Sequence, residues 1–255
     1  MRKFYFALLF AIAAMTTDVS AQFVQSTATT NIAKANTTTS TTPDCSGSRC
    51  YVGYNPVTIE WGKYQDEMEE EYPLTKGITL GYAKRFKLDS SSLPLYFEYG
   101  CNVSYMFGSY SYEFEGDYMG NYMYVKDDIS VNFISANIPF NITVPIQVDN
   151  FTLMPYCGVN LRFNLLGSQD VYWEYKDDYH DHSGTETLDL FDKDLDPPFN
   201  RFQAGLNFGV NIEFNNYSVG IGRIKDFSQF RTFEDEEFGV SVKMAVTTIS
   251  VGYKF

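Results

Sequence analysis

From Phe202 to Phe214 the side chains alternate without a break. Phe202, Ala204, Leu206, Phe208, Val210, Ile212 and Phe214 are apolar, and Gln203, Gly205, Asn207, Gly209, Asn211 and Glu213 stand between them. A period of two puts every apolar residue on one face of an extended strand and every polar or small one on the other. The stretch 151–164 repeats it, with Phe151, Leu153, Pro155, Cys157, Val159, Leu161 and Phe163 set against Thr152, Tyr156, Gly158, Asn160, Arg162 and Asn164. A chain written this way is committed to sheets whose two faces meet different surroundings.

The same reading gives eight strands: 51–62, 76–86, 94–108, 129–144, 151–166, 199–214, 217–227 and 239–255. Several exceed ten residues, which is long for a globular strand and natural for one crossing a bilayer at a tilt. In the fourth, the apolar phase moves from Ile129, Val131 and Phe133 to Ile138, Phe140 and Ile142, so a bulge is expected near Ser135. The connections alternate between long (63–75, 109–128, 167–198, 228–238) and short (87–93, 145–150, 215–216). That sorting predicts an all-β fold, an eight-stranded antiparallel up-and-down transmembrane β-barrel with short periplasmic turns and long external loops. A soluble sandwich or ligand barrel is the competing fold, and it turns its apolar face inward. Here the polar phase carries Glu60, Arg85, Glu98, Arg162 and Glu213, which read as partners for one another inside a barrel. The mean hydropathy of −0.24 is then the average of two opposite faces.

The N-terminus reads as an address. Arg2 and Lys3 precede an apolar run from Phe4 to Met15, and small residues end at Val19-Ser20-Ala21 before Gln22. This is the layout of a cleaved signal peptide over 1–21 for Sec-type export. Residues 22–49, rich in Thr, Ala, Asn and Ser, read as a flexible periplasmic arm, and 50–255 as the barrel domain. Cys45 and Cys50 bracket four residues, and two readings stand: a small disulfide loop in an oxidising compartment, or two free thiols.

The chain closes on Ile249-Ser250-Val251-Gly252-Tyr253-Lys254-Phe255, alternating residues ending in Phe. With the signal peptide, this resembles the small outer-membrane β-barrel family of Bacteroidota, the PorT-like group. The resemblance implies an integral outer-membrane location, and recognition of Tyr253 and Phe255 by the barrel-assembly machinery. It also implies a part in envelope integrity or secretion, and it brings no catalytic residues.

Charge is unevenly placed. Of 32 acidic residues, 24 fall in the four long connections, against five Lys or Arg there. A surface this acidic argues against nucleic acid as a partner. It reads either as a solvated rim or as a binder of divalent cations, directly or bridging to lipopolysaccharide. Five tyrosines in 109–128 (Tyr110, Tyr112, Tyr118, Tyr122 and Tyr124) offer contact area for an external protein or form an aromatic girdle. Both His residues sit in Asp178-Tyr179-His180-Asp181-His182, so His180, His182, Asp178 and Asp181 are candidate transition-metal ligands or simply an exposed polar loop. Arg223, Lys225 and Lys243 fall on the apolar phase of their strands. They either meet lipid phosphates at the outer wall or are turned inward by a bulge near Gly220-Ile221-Gly222. No strand contains His and no G-x-S-x-G is present, so an enzyme is not expected, and no cofactor is implied. The expected work is structural or interactive, by a monomer whose partners are outer-membrane lipids, cations or an external protein. The alternatives are a narrow channel or transport accessory and, behind it, a lipid-modifying enzyme.

Overall fold

The computed structural model describes residues 44–60, 74–88, 94–118, 121–177, 179–192, 194–195, 199–232 and 241–255. The expected signal peptide, most of the expected arm, Asp178 and the acidic residues of 61–73 and 233–240 lie outside the described residues.

Among the described residues eleven strands are formed: β1 (Gly47–Glu60), β2 (Lys76–Lys87), β3 (Tyr96–Tyr118), β4 (Asn121–Thr143), β5 (Ile146–Val148), β6 (Phe151–Asp177), β7 (Asp181–Asp189), β8 (Phe202–Phe214), β9 (Tyr217–Asp226), β10 (Arg231–Thr232) and β11 (Ser241–Lys254). Eight of them, in the order β1-β2-β3-β4-β6-β8-β9-β11, form an antiparallel ring. It is closed by β1 on β11 from Arg49↔Lys254 to Glu60↔Lys243. Closure leaves the ring without an edge, which is what a strand wall needs where no water can satisfy its backbone. The turns at one rim are tight: Asp149-Asn150 and Asn215-Asn216 reverse the chain. Asp149 (φ 48°) and Asn215 (φ 52°) occupy the left-handed region, where short polar side chains are best tolerated.

Three features differ from the sequence reading. First, β1 begins at Gly47, inside the segment read as an arm. Residues 44–46 continue into the turn end of the barrel, where buried Cys45 packs with Tyr96 and Met154. Cys50 lies exposed on the outward side of the wall, away from buried Cys45, and the two are not joined in a disulfide. Second, the connections 109–128 and 167–198 are mostly strand. β3 and β4 pair as far as Tyr118↔Asn121, β4 and β6 as far as Met123↔Asp177, and β7 extends the sheet from Ser168↔Asp189 to Lys176↔Asp181. Alternation is present there too, but Tyr, Ser and Glu give little hydropathy contrast between the faces. Third, the register shift falls at Ile134/Ser135 as expected, but the extra residue is on the partner: Ser135 pairs Asn164 and Ile134 pairs Leu166, leaving Leu165 over. β4 itself alternates without a slip, with Val131, Phe133, Ser135, Asn137 and Asn141 all facing inward. Its apolar phase jumps in the sequence because the lumen changes from polar to apolar along its length.

Candidate functional site

The polar phase of the strands fills the barrel and the apolar phase faces out. Arg162, Gln203, Asn160 and Ser135 are each at most 1 % exposed, whereas Leu80, Leu166 and Val251 are 69 %, 64 % and 56 % exposed. The lumen is built in three levels. Toward the turns, Arg85 donates to Glu98 at 2.6 Å and Glu213 at 2.7 Å. Arg49 joins Glu98 at 3.3 Å and Lys254 joins Glu213 at 3.1 Å, so two carboxylates share three cations. At mid-height, Arg162 donates to Asp226 at 2.8 Å and to the Asn137 amide oxygen at 3.1 Å. Asn102, Ser104, Thr79 and Asn160 extend that network. Tyr51 and Tyr156 also lie inward, over glycines: a Cβ at Gly81 would strike the Tyr51 ring, and one at Gly222 the Tyr156 hydroxyl. Toward the long connections the lumen turns apolar, with Met106, Val131, Phe133, Leu190, Phe191, Phe199, Phe230, Val242 and Met244 in one cluster. Phe230 packs on Phe133 and Phe199 at 5.5 and 5.0 Å between ring centres.

Leu190 and Phe191 reach this cluster because the chain folds back after β7, the Leu190 amide donating to the Gly167 carbonyl at 3.0 Å. What remains of the lumen is a cavity of about 60 Å³ lined by Arg49, Thr79, Asn137, Arg162 and Asn207 among others. That is room for a few waters. An eight-stranded wall is just wide enough for its own side chains to fill, and here they fill it.

Four of the five residues read as an interior network, Arg85, Glu98, Arg162 and Glu213, are buried in the lumen. Glu60 is not one of them. On β1 the residues with buried neighbours facing in are Asn55 and Val57, so Glu60 falls on the outer phase with Val52 and Tyr54. There it accepts from Lys225 at 2.8 Å. The pattern alone does not separate these cases because β1 turns from apolar-out to polar-out toward its external end. Arg49, Asn137 and Asp226 are central to the network and carry no distinguishing mark in the sequence. Arg49 falls in the expected arm, and Asp226 at the boundary of its strand.

Arg223, Lys225 and Lys243 stand on the outer wall. No bulge interrupts β9, whose pairing with β8 and β11 runs in uniform register. The inward alternative is therefore not adopted. Tyr253 and Phe255 also face outward, 48 % and 65 % exposed. His180 and His182 stack at 5.7 Å between ring centres. His180 turns its Nδ1 to Asp177 at 3.1 Å, and Asp181 pairs across from Lys176. Among the described residues no group of three His, Cys, Asp or Glu converges on one point.

Beyond the ring, the ends of β3, β4, β6 and all of β7 form a four-stranded blade. The part of β6 paired with β7 is nine residues long, about 30 Å along the strand. Inward alternation carried upward from the lumen puts Tyr110, Tyr112 and Phe114 of β3 on its mouth-side face. Met123, Val125, Asp127 and Ile129 of β4 and Val171, Trp173 and Tyr175 of β6 join them there, with Asp127 in register between Tyr112 and Trp173. Tyr112, Phe114 and Trp173 are exposed, and Trp173 lies over Gly184 of β7. The other face mixes Tyr124 and Tyr172 with polar groups: Ser111 donates to Asp128, Thr187 to Asp170 at 2.7 Å, and Lys176 pairs with Glu174 at 2.6 Å. A shallow concavity of about 600 Å³ lies among Ser109, Ser111, Asp128, Asp170, Tyr172, Thr185 and Thr187. At the tip, Asp177 accepts from the Tyr179 and His180 amides at 2.7 and 2.6 Å and from the Tyr175 hydroxyl at 3.1 Å. These donors, led by the Tyr179 amide, hold its carboxyl below the ordinary carboxylate value. The blade carries Glu113, Glu115, Asp117, Asp127, Asp128, Asp170, Glu174, Asp177, Asp181, Glu186 and Asp189 against Lys126 and Lys176.

No protein-family model matches the sequence, and no curated protein does. Among solved structures the chain is similar to Ail, the attachment invasion locus protein of Yersinia pestis, at 15% identity and a TM-score of 0.30, over 82% of this chain and 99% of that one. It is similar to Neisserial surface protein A at 10% identity and a TM-score of 0.36, over 82% and 97%. It is similar also to a major outer membrane protein from Thermus thermophilus at 12% identity and a TM-score of 0.29, over 82% and 99%. At these scores the architecture stands on the chain's own pairings: an eight-stranded antiparallel barrel, apolar outside and polar within, closed at its mouth.

Proposed function

We propose that the chain is an integral outer-membrane β-barrel that holds an external binding blade, and that its work is recognition rather than transport or catalysis. The observation that carries this is the blade itself. Three barrel strands run on without a loop into a sheet with a Tyr, Phe and Trp face and a strongly acidic charge. Aromatic side chains bury large area at little entropic cost, and carboxylates along the blade select partners by charge. The preferred partner is a cationic polypeptide. The inside-out burial supports the membrane placement, because only a lipid surround makes an outward belt of Leu, Ile, Val and Phe favourable. The packed lumen supports recognition over conduction. A role in envelope integrity or secretion is the part of the proposal that rests on the C-terminal resemblance alone.

The test compares the full chain with a variant whose blade is shortened by joining Ser109 to Ser130 through a tight turn. Both are expected to show heat-modifiable migration after refolding into vesicles. A Lys-rich, Leu-containing peptide is expected to bind only the full chain, with affinity falling as salt rises. Equal binding to both proteins would remove the blade from the function.

A further inference from the structure

The outer wall of the barrel is largely apolar, and on one side it gathers a charged cluster. On β8 the outward residues are Phe202, Leu206, Phe208, Ile212 and Phe214, all exposed. Across β9, β11 and β1 the outward phase becomes Arg223 and Lys225, then Thr247, Ala245 and Lys243, then Thr58 and Glu60. The Lys225 Nζ lies 2.8 Å from Glu60 Oε1, and an Arg223 Nη lies 4.0 Å from the same oxygen. Lys243 is the direct cross-strand neighbour of Glu60. β9 and β1 are both neighbours of β11, so the Lys225–Glu60 pair must pass over it. Ala245, facing outward, is accordingly only 1 % exposed.

Two cations therefore reach one carboxylate oxygen, and Lys243 stands beside them in the cross-strand register. One carboxylate cannot neutralise three cations, and charged groups on a lipid-facing wall are costly unless they reach the interface. We infer that this cluster is a binding site for the phosphate group of an anionic lipid headgroup, with Glu60 occupying the oxyanion position until the lipid arrives. The phosphate offers more acceptor oxygens than the carboxylate, and it suits both the planar Arg223 guanidinium and the two ammonium groups. On its arrival Lys225 exchanges Glu60 for a phosphate oxygen. Glu60 thus tunes the affinity downward and keeps the bound lipid exchangeable. This inference rests on the outer-membrane reading, and its test separates the two.

The refolded full chain is incorporated into phosphatidylcholine vesicles doped with either bis-phosphorylated lipid A or the same lipid with its phosphates removed. It is then extracted in mild detergent, and the retained lipid per protein is measured by mass spectrometry. The phosphorylated lipid is expected to be retained selectively. In R223Q/K225Q/K243Q retention is expected to fall by about 100-fold, each cation near an anionic surface being worth about a factor of five. In E60Q retention is expected to rise. Equal retention of the two lipids, an unchanged triple variant, or displacement of the lipid by equimolar inorganic phosphate would overturn the proposal. Failure of the wild-type chain to show heat-modifiable migration would instead overturn the membrane reading beneath it.

Discussion

Replacing Arg162 by methionine separates two kinds of buried ion pair in the same lumen. Arg162 and Asp226 have side chains 1 % and 0 % exposed, and Arg162 is the only cation paired with Asp226 among the described residues. Asp226 Oδ1 has no hydrogen-bond partner among the described residues. Arg85 makes more contacts, to Glu98, Glu213 and the Cys45 carbonyl. Yet its loss would leave Glu98 with Arg49 and Glu213 with Lys254. Removing one partner of a buried pair costs about 3–5 kcal/mol, set by how bare the remaining charge is. Arg162→Met is therefore expected near the upper figure and Arg85→Met near the lower one, the reverse of the order that contact number suggests. Urea unfolding of vesicle-refolded protein, followed by heat-modifiable migration, measures both. The double variant Arg162→Met, Asp226→Asn is expected to recover most of the loss because no charge remains unpaired. A larger cost for Arg85→Met, or no recovery in the double variant, would refute the reasoning.

The refolded chain is expected to give no discrete conductance steps in planar bilayers, the lumen being filled at all three levels. Phe133→Ala, at a fully buried site between Phe191 and Phe230, is expected to destabilise by about 3–5 kcal/mol and to speed hydrogen exchange at Leu190. For Asp177, whose carboxyl is lowered from 3.8 chiefly by the Tyr179 amide, the contribution to the β6–β7 turn is complete above 3.8. It is lost as pH falls through the lowered value. The Tyr179 amide shift followed by NMR should move in that acid window, and in Asp177→Asn this movement should be absent. Migration of the chain on non-reducing gels is expected to match the reduced form, and a maleimide should label Cys50 ahead of buried Cys45 in detergent.

The ring was legible in the sequence because a membrane wall contrasts its faces. Phe202 to Phe214 alternates apolar and polar, and the strand forms at those residues. The blade was not legible, since water on both faces removes the contrast: Tyr110, Tyr112 and Phe114 alternate with Ser109, Ser111 and Glu113, yet aromatic and polar side chains alike suit a loop. Val131 and Phe133 misled for a related reason. An apolar residue on a strand signals a face only while the lumen stays polar, and the mouth of this lumen is sealed by apolar side chains. Within the site, charge type was readable and charge partner was not. Glu60 finds its partners on the outer wall because β9 and β11 bring Arg223, Lys225 and Lys243 beside it, and such long-range neighbours leave no mark on the local pattern.

β3, β4 and β6 pass from the barrel into the blade as uninterrupted strands of 23, 23 and 27 residues. A pull on anything held by the blade would thus load three hydrogen-bonded strands lengthwise, so that whole ladders must yield together rather than one bond after another. That path changes neighbours around Leu165, where β6 leaves β8 at Phe163↔Phe202 and meets β7 at Ser168↔Asp189. Under such a load the barrel would be the fixed end, and the bulge at Leu165 marks the point where β6 changes neighbours.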